Sequence, residues 1–378
     1  MAELTLYYAT NRRHKGKNQW RPGGYGTELS RSGSENLRFG KVSLKYDKAT
    51  AQKYLEKGSG FGVGDGEELA GYLYKKRGQA RIEAFRERLE TDVADTEQDK
   101  AKFGSSRTFN DLREKMRCGC EVLIYVHGFN VNWWEAVSTA ASLQMMLNRG
   151  DDGKELLVVL FTWPSDGRMV PYWSYYSDRN DAQHSGAAVG RGILKLRDFL
   201  IDTRRRDAKL KIAPCRQAIH LLCHSMGNYV LQVALQRTRE FSSGGKPPRI
   251  FEQIFLCSAD VADDAFEPDQ PFRRLPELGQ QVTVYHNRGD MAMPVSDYTK
   301  GNTDRLGWGG ANRPGDLDGR VHQVDCSPIV TGLVEHSYYL CGKVNDDIRQ
   351  SLDGCPPENE ARRRKPVRHG WPNVWRMV

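Results

Sequence analysis

From residue 121 onward, short apolar runs alternate with segments of helical pattern, and this alternation limits the chain to a few folds. Each run is almost continuously apolar, as in EVLIYVHG and ELLVVLFTW. The segments between the runs, such as WWEAVSTAASLQMML, place apolar residues at helical spacing. Short apolar strands separated by helices are typical of a parallel sheet that helices cover on both faces. Six such runs lie at 121–128, 155–163, 217–225, 250–258, 281–286 and 321–325.

Two earlier segments extend the predicted sheet. LTLYYAT at 4–10 and LRFGKVSLKY at 37–46 have the composition of strands. The sequence therefore predicts an α/β fold with one eight-stranded, mostly parallel sheet and helices on both faces. In open sheets of this kind the functional site lies at the carboxyl ends of the strands.

The regions outside the alternating pattern suggest how the chain is divided. Residues 49–117 are polar, charged and helical in pattern, which predicts a helical insertion that could serve as a cap. ARRRKPVRHGW, within the last part of the chain, predicts a solvated basic tail. The expected organisation is 1–48 as the first strands of the domain, 49–117 as the insertion, 118–350 as the core and 351–378 as the tail.

Composition excludes several classes of protein. No run of about 18 apolar residues occurs, so no transmembrane helix is expected, and the first residues lack a secretory signal, which favours the cytoplasm. The net charge is +8, but no nucleic-acid-binding motif accompanies the basic tail, so a nucleic-acid partner is not expected. Cys118 and Cys120 form the only close cysteine pair and lack a second pair at zinc spacing. We therefore predict no metal site and no cofactor.

One strand ends in a motif that predicts a nucleophile. HLLCHSMGNYVL, residues 220–231, places Ser225 between a predicted strand and a predicted helix. The G-x-S-x-G turn holds a reactive serine at such a junction, because small residues let strand and helix pass closely. Gly227 supplies the second glycine of the motif, and Cys223 stands in place of the first. We predict that Ser225 is the catalytic nucleophile.

An acid and a base follow the serine in the order that a Ser-Asp-His triad requires. Asp290, in VYHNRGD, follows the second strand after the serine, and Asp260 follows the first. We favour Asp290 as the acid and keep Asp260 as the alternative. His336, in LVEHSYYL, comes after the last strand and is the predicted base, whereas His286 and His322 lie in or beside strands and are predicted to be structural.

Two backbone N–H groups are expected to form an oxyanion hole, which stabilises the negative charge of the tetrahedral intermediate. Met226 follows the nucleophile and supplies one N–H. YVHGFNVNWWEAV follows an early strand, and its Phe129 is predicted to supply the other, with Asn130 as an alternative donor.

Residues near the predicted site are candidates for substrate binding. WPSDGRMVPYWSYYSDRN at 163–180 is rich in aromatic residues and could line an apolar pocket, although packing onto the domain would explain the same pattern. The predicted substrate-binding residues are His127, Asn130, Trp163, Tyr172 and Trp173.

The motifs together resemble a known family. YYATNRR, LRFGKVSL, IYVHGFN, FTWPSDG, LLCHSMGN, SADVADDAF, YHNRGD and EHSYY run from about residue 5 to 340. They resemble the α/β-hydrolase superfamily and, within it, a bacterial family of esterase- and lipase-like proteins named domain of unknown function 900. In that family H-S-M-G-N is usual and the residue before it is often not glycine, so the resemblance implies that Cys223 is tolerated. It also implies an acyl-enzyme mechanism with Ser225, Asp290 and His336 as the triad.

We therefore expect a serine hydrolase that cleaves a small carboxylic ester without a cofactor. An amidase, thioesterase or peptidase could use the same three residues. A third hypothesis is a non-catalytic binding protein that keeps the fold and recruits a partner through the insertion or the tail.

Overall fold

A computed structural model describes residues 1–59, 62–86, 103–149, 155–165, 173–291, 304–330 and 336–378, except for the side chains of residues 59 and 173–176. Within these ranges the chain forms one large sheet and two small ones. The strands are β1 (Ala2–Thr10), β2 (Arg12–Lys15), β3 (Gly24–Leu29), β4 (Arg38–Tyr46), β5 (Gly58–Ser59), β6 (Gly62–Val63), β7 (Arg81–Ala84), β8 (Glu121–Val126), β9 (Leu156–Thr162), β10 (Ile219–His224), β11 (Phe251–Cys257), β12 (Gly279–His286), β13 (Val321–Asp325), β14 (Arg364–Pro366) and β15 (Val374–Met377).

The large sheet is mostly parallel. Its eleven strands lie in the order β14-β15-β13-β12-β11-β10-β8-β9-β1-β4-β7. β1, β8 to β13 and β15 pair in parallel with one another. β4, β7 and β14 run antiparallel to the neighbours with which they pair. The parallel strands therefore all end at one side of the sheet, which we call the carboxyl edge.

Helices cover both faces of this sheet, as expected for strands that are apolar on both sides. One face packs against α3, α5 and α6, and the other against α1, α2, α4 and α9. The helices are α1 (Lys48–Leu55), α2 (Gly66–Lys75), α3 (Gly104–Arg117), α4 (Trp133–Leu147), α5 (Trp173–Lys209), α6 (Gly227–Glu240), α7 (Leu275–Leu278), α8 (Leu306–Gly309) and α9 (Gly342–Leu352). None of the helices in the described ranges is both long and apolar enough to cross a bilayer.

The predicted strand count was wrong: the sheet has eleven strands, not eight. All eight predicted strands are present, and the three additional ones are β7, β14 and β15. These three strands lie at the two ends of the sheet and carry arginine and lysine, as in RIEA, RKP and VWRM. Charged residues are common in edge strands such as β7 and β14, because they prevent pairing with other molecules, whereas β15 lies between β14 and β13 and has only four residues, too few to show a clear pattern.

The last part of the chain is built into the sheet, whereas the sequence suggested a solvated tail. Arg362 and Arg364 are both buried. Arg362 Nε donates to Asp347 Oδ1 at 2.7 Å, and Arg364 Nη1 lies 3.5 Å from Asp347 Oδ2. The phenolic hydroxyl of Tyr285, in β12, donates to the same carboxylate at 2.6 Å. The basic residues therefore attach β14 to the domain through a buried carboxylate.

The described parts of 49–117 also belong to the body of the domain. Leu69 and Leu73 of α2 lie in the apolar core beside α4. Leu112 and Met116 of α3 lie in the core on the opposite face. β7 pairs with β4 at the end of the sheet. These elements thus pack against both faces of the sheet and extend it.

Candidate active site

Ser225 lies at the carboxyl edge, between β10 and α6. Its φ angle is +52°, in the left-handed region that side chains other than glycine rarely adopt. Its N–H donates to the carbonyl oxygen of Cys257 at 3.0 Å, and its own carbonyl oxygen accepts from the N–H of Asp260 at 3.2 Å. The neighbouring strand β11 and the residues after it therefore hold the serine in a strained turn. Strain of this kind is concentrated at functional sites.

Two glycines let the surrounding chain approach this turn. A Cβ on Gly128 would lie 2.7 Å from Ser225 Cβ and 3.2 Å from Ser225 Oγ. A Cβ on Gly227 would lie 2.6 Å from the carbonyl oxygen of Val126. Contacts this short exclude a larger side chain at either position. The loop that follows β8 consequently passes directly against the serine.

Cys223 fits the position where the motif has its first glycine. It lies within β10, where it pairs in register with Val126 on one side and Leu256 on the other. Its side chain is fully buried, and burial raises the pKa of its thiol. The thiol is therefore a packing group of the strand, and the turn forms without glycine there.

His336 and Asp290 meet at the same edge. The ring N–H at Nδ1 of His336 donates to Asp290 Oδ2 at 2.7 Å. Asp290 follows β12 and is fully buried, whereas the His336 side chain is 22% exposed. Because Nδ1 carries the proton in this bond, Nε2 of the neutral ring is the nitrogen with a free lone pair. The geometry is that of an oriented general base.

The backbone of His336 is fixed beside the serine turn. Its carbonyl oxygen accepts hydrogen bonds from His224 Nε2 at 3.1 Å and from Ser258 Oγ at 2.9 Å. The ring centroids of His224 and His336 are 4.7 Å apart. Burial, followed by the nearby His336, lowers the pKa of His224 well below its usual value, so His224 is neutral. The residue that precedes the serine thus anchors the segment that carries the base.

No hydrogen bond joins Ser225 Oγ to the His336 ring in the described part of the chain. Catalytic hydrogen bonds are often long or poorly aligned before substrate binds and tighten in the substrate complex. The contacts of His336 with His224 and Ser258 bring the base to the residues that flank the serine turn.

Asp260, the alternative acid, has a different neighbour. Its carboxylate lies 3.6 Å from Nε of Arg305, and both side chains are almost completely buried. Its backbone N–H supports the turn, as described above. Among the described residues, Asp290 is the carboxylate hydrogen-bonded to the His336 ring.

The loop from His127 to Val131 brings the predicted oxyanion donors to the serine. Gly128 contacts Ser225, so the following residue, Phe129, starts beside the serine. Asn130 has a φ angle of +57°, and its N–H points to Asp178 Oδ2 at 3.5 Å. On the other side, Met226 is the N-cap of α6, where the first N–H groups of a helix lack acceptors within the helix.

The predicted substrate-binding residues fall into separate groups. His127 and Trp163 are both fully buried, and their rings stack with centroids 5.3 Å apart. Both residues pack at the start of the loop from His127 to Val131. Asn130, within this loop, is half-buried. Tyr172 and the side chain of Trp173 lie outside the described residues.

His127 is neutral, and its hydrogen bonds hold the loop in place. Burial and the nearby Arg12 guanidinium lower its pKa to about 3. Its Nδ1 donates to the carbonyl oxygen of Gly128 at 2.8 Å, and its Nε2 accepts from the hydroxyl of Thr162 at 2.9 Å. The indole N–H of Trp163 donates to the carbonyl oxygen of His127 at 2.9 Å. These bonds fix the start of the loop.

The sequence analysis missed the buried polar residues behind this loop. They are Arg12, Thr162, Ser165 and Asp178, all fully or almost fully buried. The available signal was their position, because Arg12 and Ser165 lie two and three residues after the ends of the parallel strands β1 and β9. No group of histidine, cysteine and acidic side chains suited to a metal ion occurs within the described ranges.

A separate cleft of about 770 Å³ lies between the sheet and helices α3 and α5. Phe109, Ile124 and Leu196 contribute to its largely apolar lining. The lining includes neither Ser225 nor His336, so the cleft is distinct from the serine turn.

A family model matches most of the chain. Residues 105–341, more than half of the chain, match the model of a family described as α/β-hydrolase of unknown function, domain of unknown function 900. The match includes the serine turn, the loop after β8 and both partners of the Asp290–His336 hydrogen bond. No curated protein matches the chain.

Proposed function

We propose that this chain, which belongs to that family of α/β-hydrolases, is a serine hydrolase with Ser225 as its nucleophile. The main support is the hydrogen bond of 2.7 Å between Asp290 and His336 at the same edge as the strained serine. A serine hydroxyl is a weak nucleophile unless a base removes its proton, and an oriented histidine is the usual base.

The reaction proceeds through an acyl-enzyme. Nε2 of His336 takes the hydroxyl proton as Ser225 Oγ bonds to the carbonyl carbon of the substrate. The buried Asp290 carboxylate holds the imidazole and stabilises its positive charge. The tetrahedral intermediate collapses, and the leaving group departs with the proton from His336. Water then attacks the acyl-enzyme by the same route and releases the acid and free Ser225.

The oxyanion is stabilised by the N–H groups of Phe129 and Met226. The tight contact between Gly128 and Ser225 supports this assignment, because it brings the loop backbone to the reacting oxygen. Donors that are already fixed in position stabilise developing charge without reorganising during the reaction.

The proposed substrate is a small-molecule carboxylic ester. An amide or thioester would be cleaved by the same three residues, and assays with matched substrates separate these activities. All eight cysteines are free thiols, which supports our proposal of a reducing, cytoplasmic location.

Covalent labelling tests the proposal. A fluorophosphonate is expected to add once to the wild-type protein, as measured by intact mass, and the adduct should map to Ser225. Ser225→Ala and His336→Ala should remain unlabelled while retaining the circular dichroism and melting temperature of a folded protein. Ser138→Ala is a matched control, because it removes a buried serine hydroxyl of α4 that makes no hydrogen bond to another described residue, and it keeps Ser225. Labelling of Ser225→Ala, or no labelling and no ester turnover by folded wild type, would refute the proposal and favour a binding protein.

A further inference from the structure

We propose that Arg12 is a positioning residue for the oxyanion hole, and that its guanidinium fixes the loop that carries the Phe129 N–H. The inference rests on the proposed serine hydrolase function. It adds a residue far from the serine in sequence, the first residue of β2, which begins two residues after the end of β1.

The Arg12 side chain is almost completely buried, with 1% of its surface exposed. Its Nη2 donates to the carbonyl oxygen of Val131 at 2.6 Å, and its Nε donates to Thr162 Oγ1 at 2.9 Å. Its Nη1 donates to the carbonyl oxygens of Gly26 at 3.0 Å and Ser165 at 3.4 Å. One planar group therefore bonds to four residues in three separate segments, a role that the rigid fork of arginine suits and lysine does not.

These contacts reach both ends of the oxyanion loop. At its start, the Thr162 hydroxyl that accepts from Arg12 donates to Nε2 of His127. At its end, Arg12 holds the carbonyl oxygen of Val131, while the N–H of Val131 donates to Ser165 Oγ at 3.1 Å. Phe129 lies between these two fixed points. A change in the Arg12 contacts is therefore transmitted to the position of the Phe129 N–H.

A second chain of contacts supports the same loop. Ser165 Oγ donates to Asp178 Oδ2 at 2.6 Å, and the N–H of Asn130 faces that oxygen at 3.5 Å. The carbonyl oxygen of Ser165 is itself an acceptor of Arg12. The loop, the end of β9 and the start of α5 thus share one polar network in which Arg12 makes the most contacts.

The network matters for rate because an oxyanion donor acts only when it lies at the right distance. Loss of one such donor typically lowers kcat by about 100- to 1,000-fold. A displaced donor is expected to lose part of this effect, which gives a decrease of about 10- to 100-fold. Ground-state binding depends little on this donor, so KM should change by less than about threefold.

The experiment compares Arg12→Lys and Arg12→Met with the wild type on p-nitrophenyl butyrate. The inhibitor is a trifluoromethyl ketone, which forms a tetrahedral oxyanion on the serine. Both variants are expected to lose about 10- to 100-fold in kcat, and inhibitor affinity should fall by the same factor. The pH profile of kcat should keep its wild-type shape, because Arg12 does not contact His336. Arg13→Met is the matched control, since Arg13 pairs with the exposed Glu28 on the surface.

Two further variants keep the test decisive if the Arg12 variants fail to fold. Thr162→Val removes the hydroxyl between Arg12 and His127, and Ser165→Ala removes the acceptor of the Val131 N–H. Both are expected to lower kcat and inhibitor affinity together. A folded Arg12→Lys with wild-type kcat, or Thr162→Val and Ser165→Ala with wild-type kcat, would overturn the inference. So would losses of kcat without loss of inhibitor affinity. Wild-type protein that is neither labelled nor active would instead refute the proposed function.

Discussion

Replacement of Asp290 by asparagine should abolish most of the activity while leaving the fold intact. Asp290 Oδ2 accepts the Nδ1 proton of His336 at 2.7 Å, and asparagine can present an amide N–H at the same place. Nδ1 must then accept a hydrogen bond, so the ring proton moves to Nε2, the nitrogen that should act as base. The same change in a Ser-His-Asp protease lowers kcat by about 10⁴-fold. We expect a loss of this order here, equivalent to about 5 kcal/mol in the activation barrier.

Asp260→Asn is the matched control. It changes another buried carboxylate near the same edge, and its ion pair with Arg305 spans 3.6 Å. Weakening a buried pair should lower the free energy of unfolding by about 1–3 kcal/mol. Its kcat should remain within about tenfold of wild type, because Asp260 does not hold the base.

The assay measures kcat on p-nitrophenyl butyrate and the unfolding midpoint in guanidinium chloride for both variants. The reasoning predicts that Asp290→Asn mainly affects rate and that Asp260→Asn mainly affects stability. If Asp260→Asn caused the larger loss of kcat in folded protein, Asp260 would be the triad acid and our assignment would be wrong.

Three further predictions concern other parts of the structure. Gly128→Ala places a Cβ 2.7 Å from Ser225 Cβ, so it should lower the free energy of unfolding in denaturant by about 1–3 kcal/mol. It should also slow fluorophosphonate labelling, and labelling at the wild-type rate would contradict the close contact. Arg362→Met should destabilise the protein by about 3–5 kcal/mol, because it removes the 2.7 Å bond to Asp347. Arg364→Met should cost less, about 1–3 kcal/mol in the same measurement, because its Nη1 lies 3.5 Å from Asp347 Oδ2 and its Nε donates to the carbonyl oxygen of Pro357; equal losses would refute the distinction. Burial holds the pKa values of several histidines below the unfolded value of about 6.5, so their stabilising effect is complete above that pH and is lost as pH falls towards 4. Burial lowers the pKa of His127 to about 3 and the pKa values of His286 and His322 to about 4. The free energy of unfolding should therefore drop by about 1–2 kcal/mol for each of these residues between pH 7 and pH 5. A flat pH profile of stability would contradict these lowered pKa values.

The central strands were predictable because burial on both faces leaves a simple apolar signal. β8 to β13, together with β1 and β4, all occur where the sequence indicated. β7 and β14 were missed because edge strands tolerate charge and need few apolar residues, and β15 because it has only four residues. Their placement depends on pairing with strands elsewhere in the chain, such as that of β15 with β13, in which Val374 lies opposite Gln323.

The candidate site was predictable to the extent that it follows strand ends. Ser225, Asp290 and His336 come after three parallel strands, and residues at such ends converge at one edge. The choice between Asp290 and Asp260 required distances, since both aspartates follow strands of the same sheet. Arg12 was not recognised, because its acceptors are mainly backbone oxygens whose convergence no local pattern reveals.

The interior position of β1 has a consequence for how the chain acquires its structure. β1 pairs with the nearby β4 on one side, but on the other it pairs with β9, and Thr10 contacts Thr162 across 152 positions of sequence. During synthesis one edge of an apolar strand therefore stays open until β9 has emerged. Open strand edges favour aggregation, and distant pairings form slowly. Arg12 begins β2, two residues after β1, and bonds to Thr162 at the end of β9, so it cannot hold the loop from His127 to Val131 before this late pairing. Refolding should consequently show early strand structure, a yield that falls with protein concentration, and serine reactivity that returns last.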